Sequence, residues 1–317
     1  MFEIVDLNAG YEFRNKFVHA VRNVSLKVEK GEFHGIAGES GCGKSTLVLA
    51  ALKLLRKPGK IISGKVIIDS TDILSLSEFE LRKQRWKKFS LVTQSSMNSL
   101  NPVLKIKDQM ADALIKNHGY SKQDSYNLVR EKLQLVGIPI ERMESYPHQL
   151  SGGMRQRVVI AMALLLSPDV IIMDEPTTAL DVVVQRSILQ QIEELRKTEK
   201  FSTIFITHDI SLLFELANRI SIMYAGELVE TGAAKSVYSK PFHPYTKGLV
   251  EALPSISKDL ESYNGIPGRP IDLSLQIKGC PFRERCPYAF DRCEIEKPGL
   301  RLLEDGENGR WVSCHLY

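Results

Sequence analysis

The sequence has no apolar run long enough to cross a lipid bilayer. A membrane-spanning helix needs about 20 consecutive apolar residues, whereas the longest apolar run, Val158 to Leu166, is followed closely by Pro168. The first residues also lack the basic stretch followed by an apolar stretch that marks a signal peptide. We therefore expect the chain to remain in the cytoplasm, and any membrane-embedded part of its machinery to be supplied by other chains.

Blocks of like charge are also missing. The 42 lysine and arginine residues nearly balance the 38 aspartate and glutamate residues, which gives a net charge of +4 at pH 7. Because no cluster of basic residues stands out, nucleic acid is not an expected partner. There is no internal repeat, and 317 residues with 43% hydrophobic content suffice for one large domain, with or without an appendage.

Cysteine is nearly absent from the first 279 residues, which contain only Cys42. The other cysteines lie in the C-terminal tail, at Cys280, Cys286, Cys293 and Cys314. A disulfide framework is not expected in a reducing cytosol. The spacing lacks the short Cys-x2-Cys pairs of structural zinc sites and the run typical of bacterial ferredoxins. The spacing alone therefore identifies four candidate thiolate ligands and leaves iron–sulfur, zinc, and free or disulfide-bonded cysteines open.

Alternating strand and helix patterns indicate an α/β fold with a parallel sheet. Near the N-terminus, short apolar runs separated by glycines predict strands and hairpins, and the run Lys44–Leu55 has the length of a helix. Residues from about 104 to 166 are expected to be mainly helical. The apolar runs Val170–Met173 and Ser202–His208 are typical of buried parallel strands.

The composition changes after about Gly232. Proline and glycine become frequent, which predicts a loop-rich extension over residues 233–317. This segment has little periodic apolar pattern from which to build its own core, so a cross-link or a metal would help it to hold a shape.

A phosphate-binding loop is predicted between a strand and a helix. Residues Gly38–Ser45 fit the pattern G-x-x-x-x-G-K-[ST] at every fixed position. Glycines let successive N–H groups point at phosphate oxygens, and the helix N-terminus adds positive potential. Cys42 occupies a free position and is interpreted as incidental, although its thiol would lie close to the phosphates. The predicted ATP-binding residues of this segment are Gly38, Ser40, Gly41, Cys42, Gly43, Lys44, Ser45 and Thr46.

Two carboxylates follow the apolar run Val170–Met173, at the tip of a predicted strand. Strand tips are where ligands bind in α/β sheets. Asp174 is therefore the candidate for the Mg²⁺ shell, with Ser45, and Glu175 for polarising the attacking water. The alternative is a solvated strand end without function, and it is less favoured because the phosphate loop is present.

The segment Leu150–Met154 closely resembles the signature of ABC-transporter ATPases, and the resemblance extends over essentially the whole chain. It implies that two such subunits sandwich two ATP molecules, with Ser151, Gly152 and Gly153 facing the partner's phosphate loop. A helix start with free N–H groups suits that role. The fifth signature residue, usually glutamine, is Met154 here, so this position lacks the side-chain amide of the usual residue.

The same resemblance implies roles for residues outside these motifs. They are Gln94 as the Q-loop residue that reaches Mg²⁺, Asp181 of the D-loop Thr178–Asp181, His208 as the switch histidine at the γ-phosphate, and Tyr11 as the aromatic that stacks on adenine. Phe13 and Phe17 lie nearby and are alternatives for the adenine contact.

A narrower resemblance is to the ATPases of dipeptide and oligopeptide importers, which are related to nickel importer ATPases. It rests on Ser95–Ile106, on Pro241–Pro254 and on the cysteine tail. Within Pro241–Pro254, Pro244 and Thr246 have a second interpretation as an ordinary helix start. In the family the four tail cysteines hold a [4Fe–4S] cluster, so the resemblance implies this cofactor beside ATP and Mg²⁺, with zinc as the alternative. A structural role for the cluster is expected.

The resulting expectation is a P-loop NTPase of the ABC type that energises peptide uptake. Residues 1–232 are predicted to form the nucleotide-binding domain, with a helical subdomain at about 95–165, and residues 233–317 the metal-binding extension. Expected partners are a homologous sister ATPase, two membrane permease subunits and, indirectly, an extracytoplasmic peptide-binding protein, at the cytoplasmic membrane face. Alternatives are import of nickel or another solute, a soluble ABC ATPase without transport, and an iron–sulfur redox protein with a regulatory nucleotide site.

Overall fold

The computed structural model describes most of the chain. The described residues are 1–13, 16–94, 96–177, 181–253, 265–275, 277–303 and 309–317, with the side chains of 96 and 97 excepted. Among these residues, no helix is both long and apolar enough to span a bilayer.

The secondary structure alternates between strands and helices as the sequence predicts. The strands are β1 (Phe2–Phe13), β2 (Lys16–Val28), β3 (Phe33–Ala37), β4 (Gly59–Ile68), β5 (Thr71–Asp72), β6 (Phe89–Val92), β7 (Val170–Asp174), β8 (Ser202–Ile206), β9 (Arg219–Tyr224), β10 (Glu227–Ala233), β11 (Arg301–Leu303) and β12 (Arg310–Val312). The α-helices are α1 (Lys44–Ala51), α2 (Glu78–Gln84), α3 (Ile106–His118), α4 (Lys122–Leu135), α5 (Gly152–Ala163), α6 (Val182–Glu199), α7 (Ile210–Leu216), α8 (Ala234–Ser239), α9 (Pro244–Glu251) and α10 (Asp291–Ile295).

The described chain forms two compact units, each discontinuous in sequence. The first unit comprises Met1, Glu29–Gly31 and Ser75–Ile204, and the second comprises Phe2–Val28, Glu32–Leu74 and Phe205–Tyr317. The predicted phosphate loop and the cysteine tail therefore belong to one unit, and the signature and the two strand-tip carboxylates to the other. The predicted domain boundary at residue 232 stays a prediction.

The first unit is built on the parallel pair of β6 and β7, with β8 on the other side of β7. Helices α3, α4 and α5 lie inside the range predicted to be helical. On α3, Ile106, Met110 and Leu114 are buried, because they recur on one face. Leu104 is 42% exposed, since the helix begins only at Ile106.

The second unit contains two groups of strands. One is antiparallel, in the order β2-β1-β4-β5, and the other has the order β11-β12-β10-β9-β3, with β3 parallel to β9. Helix α1 follows β3 directly after the predicted phosphate loop. Strand–loop–helix connectivity is thus present where the loop's chemistry requires it.

The predicted loop-rich extension contributes strands as well as loops to the second unit. β12 pairs with β10, which places the guanidinium of Arg310 3.5 Å from the carboxylate of Glu230, with both side chains almost fully buried. Glu230 also accepts backbone hydrogen bonds from Phe242 and His243 at 3.0 and 2.9 Å. A buried charge requires such partners, so this network fastens the extension to β10.

Helix α9 confirms that Pro244 starts a helix. Pro244 lies in the first turn, where its missing N–H is not needed. The N-cap is His243, whose Nδ1 accepts the N–H of Tyr245 at 3.0 Å. Burial lowers the pKa of His243 to about 3, which keeps the ring neutral and its acceptor nitrogen available.

Candidate functional site

The phosphate loop is shaped by glycines that admit no side chain. Gly43 has φ +107°, and a Cβ added there would lie 2.1 Å from the Ala20 carbonyl oxygen. At Gly38, with φ +155°, an added Cβ would lie 2.2 Å from the Met223 carbonyl oxygen. Other residue types avoid such conformations. The fixed glycines of the motif are therefore explained by close contact with β2 and β9.

Lys44 is held by the loop itself. Its Nζ donates to the carbonyl oxygens of Gly38 at 2.7 Å and Glu39 at 2.9 Å, and the residue is only 7% exposed. Helix α1 begins here with Gly43 as its N-cap and with no side-chain cap among the described residues. The first N–H groups and the lysine ammonium are thus suited to an anion such as a phosphate.

Tyr11 lies against the first turn of this helix. Its hydroxyl is 3.1 Å from the Thr46 hydroxyl, and its ring stacks on Phe13 at 6.3 Å between centroids. Phe13 is 53% exposed, whereas Phe17 forms an edge contact with His19. The structure thus brings Tyr11 and Phe13 together near α1. Tyr11 as the adenine contact stays a prediction, with Phe13 and Phe17 as alternatives.

Cys42 packs inward. The residue is 6% exposed, and its Sγ lies 3.8 Å from the Lys44 ammonium. Burial raises the pKa of the Cys42 thiol, so the thiol is neutral at physiological pH. Ser45, by contrast, is exposed at the start of α1.

In the first unit, Asp174 and Glu175 lie at the end of β7, where the sequence predicts them. Asp174 is 7% exposed, and Glu175 has the left-handed φ of +48°. The Gln94 side-chain amide donates to Glu175 Oε2 at 2.9 Å. The structure therefore joins by a hydrogen bond two residues for which separate roles are predicted.

The signature and the D-loop residue both lie at helix starts. Ser151 is the N-cap of α5 and its hydroxyl accepts the N–H of Met154 at 3.3 Å. Asp181 is the N-cap of α6 and accepts the N–H of Val184 at 3.0 Å. Gly152 and Gly153 form the first turn of α5, while Thr178–Leu180 lie outside the described residues. His208, in the second unit, is exposed between β8 and α7.

The tail cysteines come together without forming a metal site. All four are free thiols, and Cys280 donates its N–H to the Cys293 carbonyl oxygen at 2.7 Å. Burial, reinforced by the nearby thiols, raises the pKa of Cys280 to about 11. Within the described part of the chain, however, no three histidine, cysteine, aspartate or glutamate residues are arranged to hold a metal ion. The predicted metal-binding character of the extension is not shown by this geometry.

Sequence reasoning missed two contacts to the phosphate loop. Arg285 and Tyr245, both in the extension, hydrogen-bond to Glu39. Arg285 lies in the cysteine tail and Tyr245 in Pro241–Pro254, and neither segment predicts a contact with the loop from its sequence.

Comparison with known proteins agrees with this architecture. A family model described as "ABC transporter" matches residues 21–178, and one described as "Oligopeptide/dipeptide transporter, C-terminal region" matches residues 229–293. Among solved structures, the dimeric bacterial ABC transporter cassette MJ0796 is similar with a TM-score of 0.64 and 30% identity, over 74% of this chain and 99% of that one. CbiO1 from Clostridium perfringens, part of the transporter complex cbiONQ, has a TM-score of 0.65 and 26% identity, over 75% of this chain and 90% of that one.

Curated relatives match along nearly the full chain. The dipeptide transport ATP-binding protein DppD of Caldanaerobacter subterraneus is 42% identical over 100% of this chain and 97% of its own length. DppD of Escherichia coli is 41% identical over 93% of this chain and 90% of its own length. The oligopeptide transport ATP-binding protein OppD of Bacillus subtilis is 42% identical over 96% of this chain and 86% of its own length.

The fold and the phosphate loop define an ATP-hydrolysing enzyme of the ABC type, a P-loop NTPase with α/β architecture. Within that class, the chain belongs to the family of ATP-binding subunits of dipeptide and oligopeptide ABC transporters.

Replacing Gly43 tests the geometry of the loop. We expect Gly43→Ala to weaken Mg²⁺–ATP binding by at least about tenfold, since the Cβ would strike the Ala20 carbonyl and force the loop to move. Titration calorimetry measures this directly. The matched control is Gly31→Ala, where φ is +72° but an added Cβ would meet no described atom within 4 Å apart from its chain neighbours, and ATP binding should be unchanged. Equal affinity of Gly43→Ala and wild type for Mg²⁺–ATP would contradict the proposed shape of the phosphate loop.

Proposed function

We propose that this chain is the ATP-hydrolysing subunit that energises uptake of dipeptides or oligopeptides through an ABC importer. The main support is that an ABC cassette and the C-terminal region of oligopeptide and dipeptide transporters occur in one chain. The named relatives are peptide transport proteins. No observation favours import of nickel or a soluble ABC ATPase without transport.

In the proposed site, the anionic phosphates replace the loop's own carbonyls as partners of Lys44. Moving the ammonium from neutral acceptors to a charged one strengthens each hydrogen bond. Ser45, Gln94 and Asp174 would hold Mg²⁺, which supplies charge neutralisation for the phosphates when bound. These side chains carry the hydroxyl, amide and carboxylate oxygens that this ion prefers.

Hydrolysis is assigned to Glu175, with His208 at the γ-phosphate. In this structure Gln94 holds Glu175 Oε2 at 2.9 Å. Release of that hydrogen bond would free the carboxylate oxygen to accept a proton from water. Tyr11 is proposed to stack on the adenine, supported by its position beside Thr46.

A second ATPase subunit is proposed to complete each site. Ser151, Gly152, Gly153 and Asp181 would face the partner's ATP, and the helix start of α5 suits an anion. Val182 and Val183, next to Asp181, are 77% and 80% exposed, as expected of a surface that is covered by a partner. A dimeric cassette is known for the similar protein MJ0796.

We propose a homologous sister chain as that partner, and attachment to two membrane permease subunits at the cytoplasmic membrane face. An extracytoplasmic peptide-binding protein would act through the permeases. These assignments are supported by the transport functions named for the relatives.

The four tail thiols are proposed as ligands of a [4Fe–4S] cluster, with zinc as the alternative. The proposal is supported by the resemblance to peptide importers and by the gathering of free thiols in one segment. Among the described residues, the thiols are not arranged as a ligand set for a metal ion in this structure.

The role of Glu175 is tested by Glu175→Gln. We expect this variant to bind Mg²⁺–ATP normally but to hydrolyse it about 10²–10⁴-fold more slowly, because the amide cannot accept the proton from water. Steady-state phosphate release measures the rate. Glu194→Gln, an exposed glutamate in the same unit, is the control and should behave as wild type. Hydrolysis by Glu175→Gln within a few-fold of wild type would assign the base elsewhere.

The transport assignment is tested on the purified complex. The chain alone should hydrolyse ATP weakly, with activity rising faster than linearly with its concentration or on addition of the sister chain. In proteoliposomes, hydrolysis should be stimulated by peptide-loaded binding protein. Full activity from a demonstrated monomer would contradict the need for a partner, and stimulation by nickel instead of peptides would reassign the solute.

The thiol assignment is tested by metal analysis of anaerobically purified protein. A [4Fe–4S] cluster predicts brown protein with absorption near ~400 nm and about four irons per chain. Cys286→Ser should remove the colour, and Cys42→Ser, outside the tail, should keep it. One zinc per chain would support the same four ligands with zinc as the metal. A protein that contains neither iron nor zinc would rule out the site.

A further inference from the structure

Among the described residues, Glu39 of the phosphate loop forms hydrogen bonds with the extension. The Glu39 carboxylate accepts two hydrogen bonds from the Arg285 guanidinium, at 2.7 Å from Nη1 and 2.8 Å from Nη2. The Glu39 backbone N–H donates to the Tyr245 hydroxyl at 2.8 Å. Glu39 occupies a free position of the loop motif, so the motif itself does not require these contacts.

Arg285 is fixed independently of Glu39. Its side chain is 4% exposed, its Nε donates to the Pro267 carbonyl at 2.8 Å, and its Nη2 also reaches the Ile266 carbonyl at 3.3 Å. The guanidinium lies over the ring of Tyr224 at 5.8 Å. A bidentate pair of this kind fixes both position and orientation of the carboxylate.

Tyr245 is equally constrained. It is fully buried, and its ring packs against Tyr224 at 4.7 Å and Phe282 at 5.4 Å between centroids. Its position follows from helix α9, which begins one residue earlier. The hydroxyl that receives the Glu39 N–H is therefore held by a rigid part of the extension.

Glu39 also contacts the lysine that the loop presents to phosphate. Its carbonyl oxygen accepts from Lys44 Nζ at 2.9 Å and from the Cys42 N–H at 3.3 Å. One residue thus has three groups fixed at once: the carboxylate and the N–H by the extension, and the carbonyl by the loop. The glycines of the loop make its backbone costly to order, and these anchors order it before ATP arrives.

We propose that Arg285 and Tyr245 are positioning residues for the phosphate loop, through which the extension sets the affinity for ATP. This proposal rests on the proposed ATP-binding function of the loop. The two residues act through Glu39, so their loss is expected to change the binding of ATP more than the rate of the bound enzyme.

The test compares Mg²⁺–ATP affinity and hydrolysis in full-length variants. Arg285→Gln and Glu39→Gln should each raise Kd and KM for ATP roughly tenfold, the factor expected if one loop residue must be ordered on binding. The kcat should change less than about threefold. The double variant should resemble either single variant, because both remove the same contact. Arg285→Lys keeps the charge but loses the bidentate geometry, so its KM for ATP should lie between the values of wild type and Arg285→Gln.

Two further variants separate positioning from general stability. Arg292→Gln removes another arginine–glutamate pair of the extension, the exposed pair of Arg292 on α10 and Glu296 directly after it, and should leave KM unchanged. Tyr245→Phe removes the acceptor for the Glu39 N–H while keeping the ring, and should raise KM with a smaller factor.

Wild-type KM in Glu39→Gln and Tyr245→Phe would overturn the proposal, since both leave the bonds from Arg285 to Pro267 and Ile266 in place. Equal losses in Arg292→Gln would also overturn it, because the effect would then be one of general stability. Failure of the wild-type chain to bind ATP would instead contradict the proposed function itself. The two failures are therefore distinguishable.

Discussion

The shape of the phosphate loop depends on the close approach of its glycines to strands β2 and β9. Gly43 and Gly38 lie against the carbonyl oxygens of Ala20 and Met223, with no space for a Cβ. That contact orients the start of α1, whose N–H groups receive no side-chain cap from the described residues. Lys44 Nζ then donates to the loop's own Gly38 and Glu39 carbonyls and lies near the Cys42 thiol. The chemistry assigned to the chain follows from this arrangement, because an anion satisfies both the helix start and the ammonium.

The extension is part of this arrangement. It is fastened to β10 by the buried pair of Glu230 and Arg310, and it reaches the loop through Arg285 and Tyr245. The segment that the sequence marks as poor in apolar pattern thus shares the interior of the second unit. This explains how a loop-rich segment keeps a shape in a structure that shows no ligand set for a metal among its described residues.

Local features of the fold were predictable from sequence, and contacts across long sequence separations were not. The loop, the acids after β7 and the helix at Pro244 were recognised from short-range patterns with a direct physical basis. The hydrogen bond between Gln94 and Glu175, and the contacts of Glu39 with Arg285, join residues 81 and 246 positions apart. Such pairings depend on tertiary packing, and contacts between residues distant in sequence leave no local pattern in a single sequence. The addition of β12 to β10 was missed for the same reason.

The most direct measurement is a structure of the Glu175→Gln variant with Mg²⁺ and ATP bound. The account predicts that Lys44 Nζ leaves the Gly38 and Glu39 carbonyls for the phosphates, while the Glu39 carboxylate stays paired with Arg285. Ser45 and Asp174 should face the metal. ATP bound away from the loop, or a Lys44 that keeps its present partners with ATP in place, would contradict the assignment of this site.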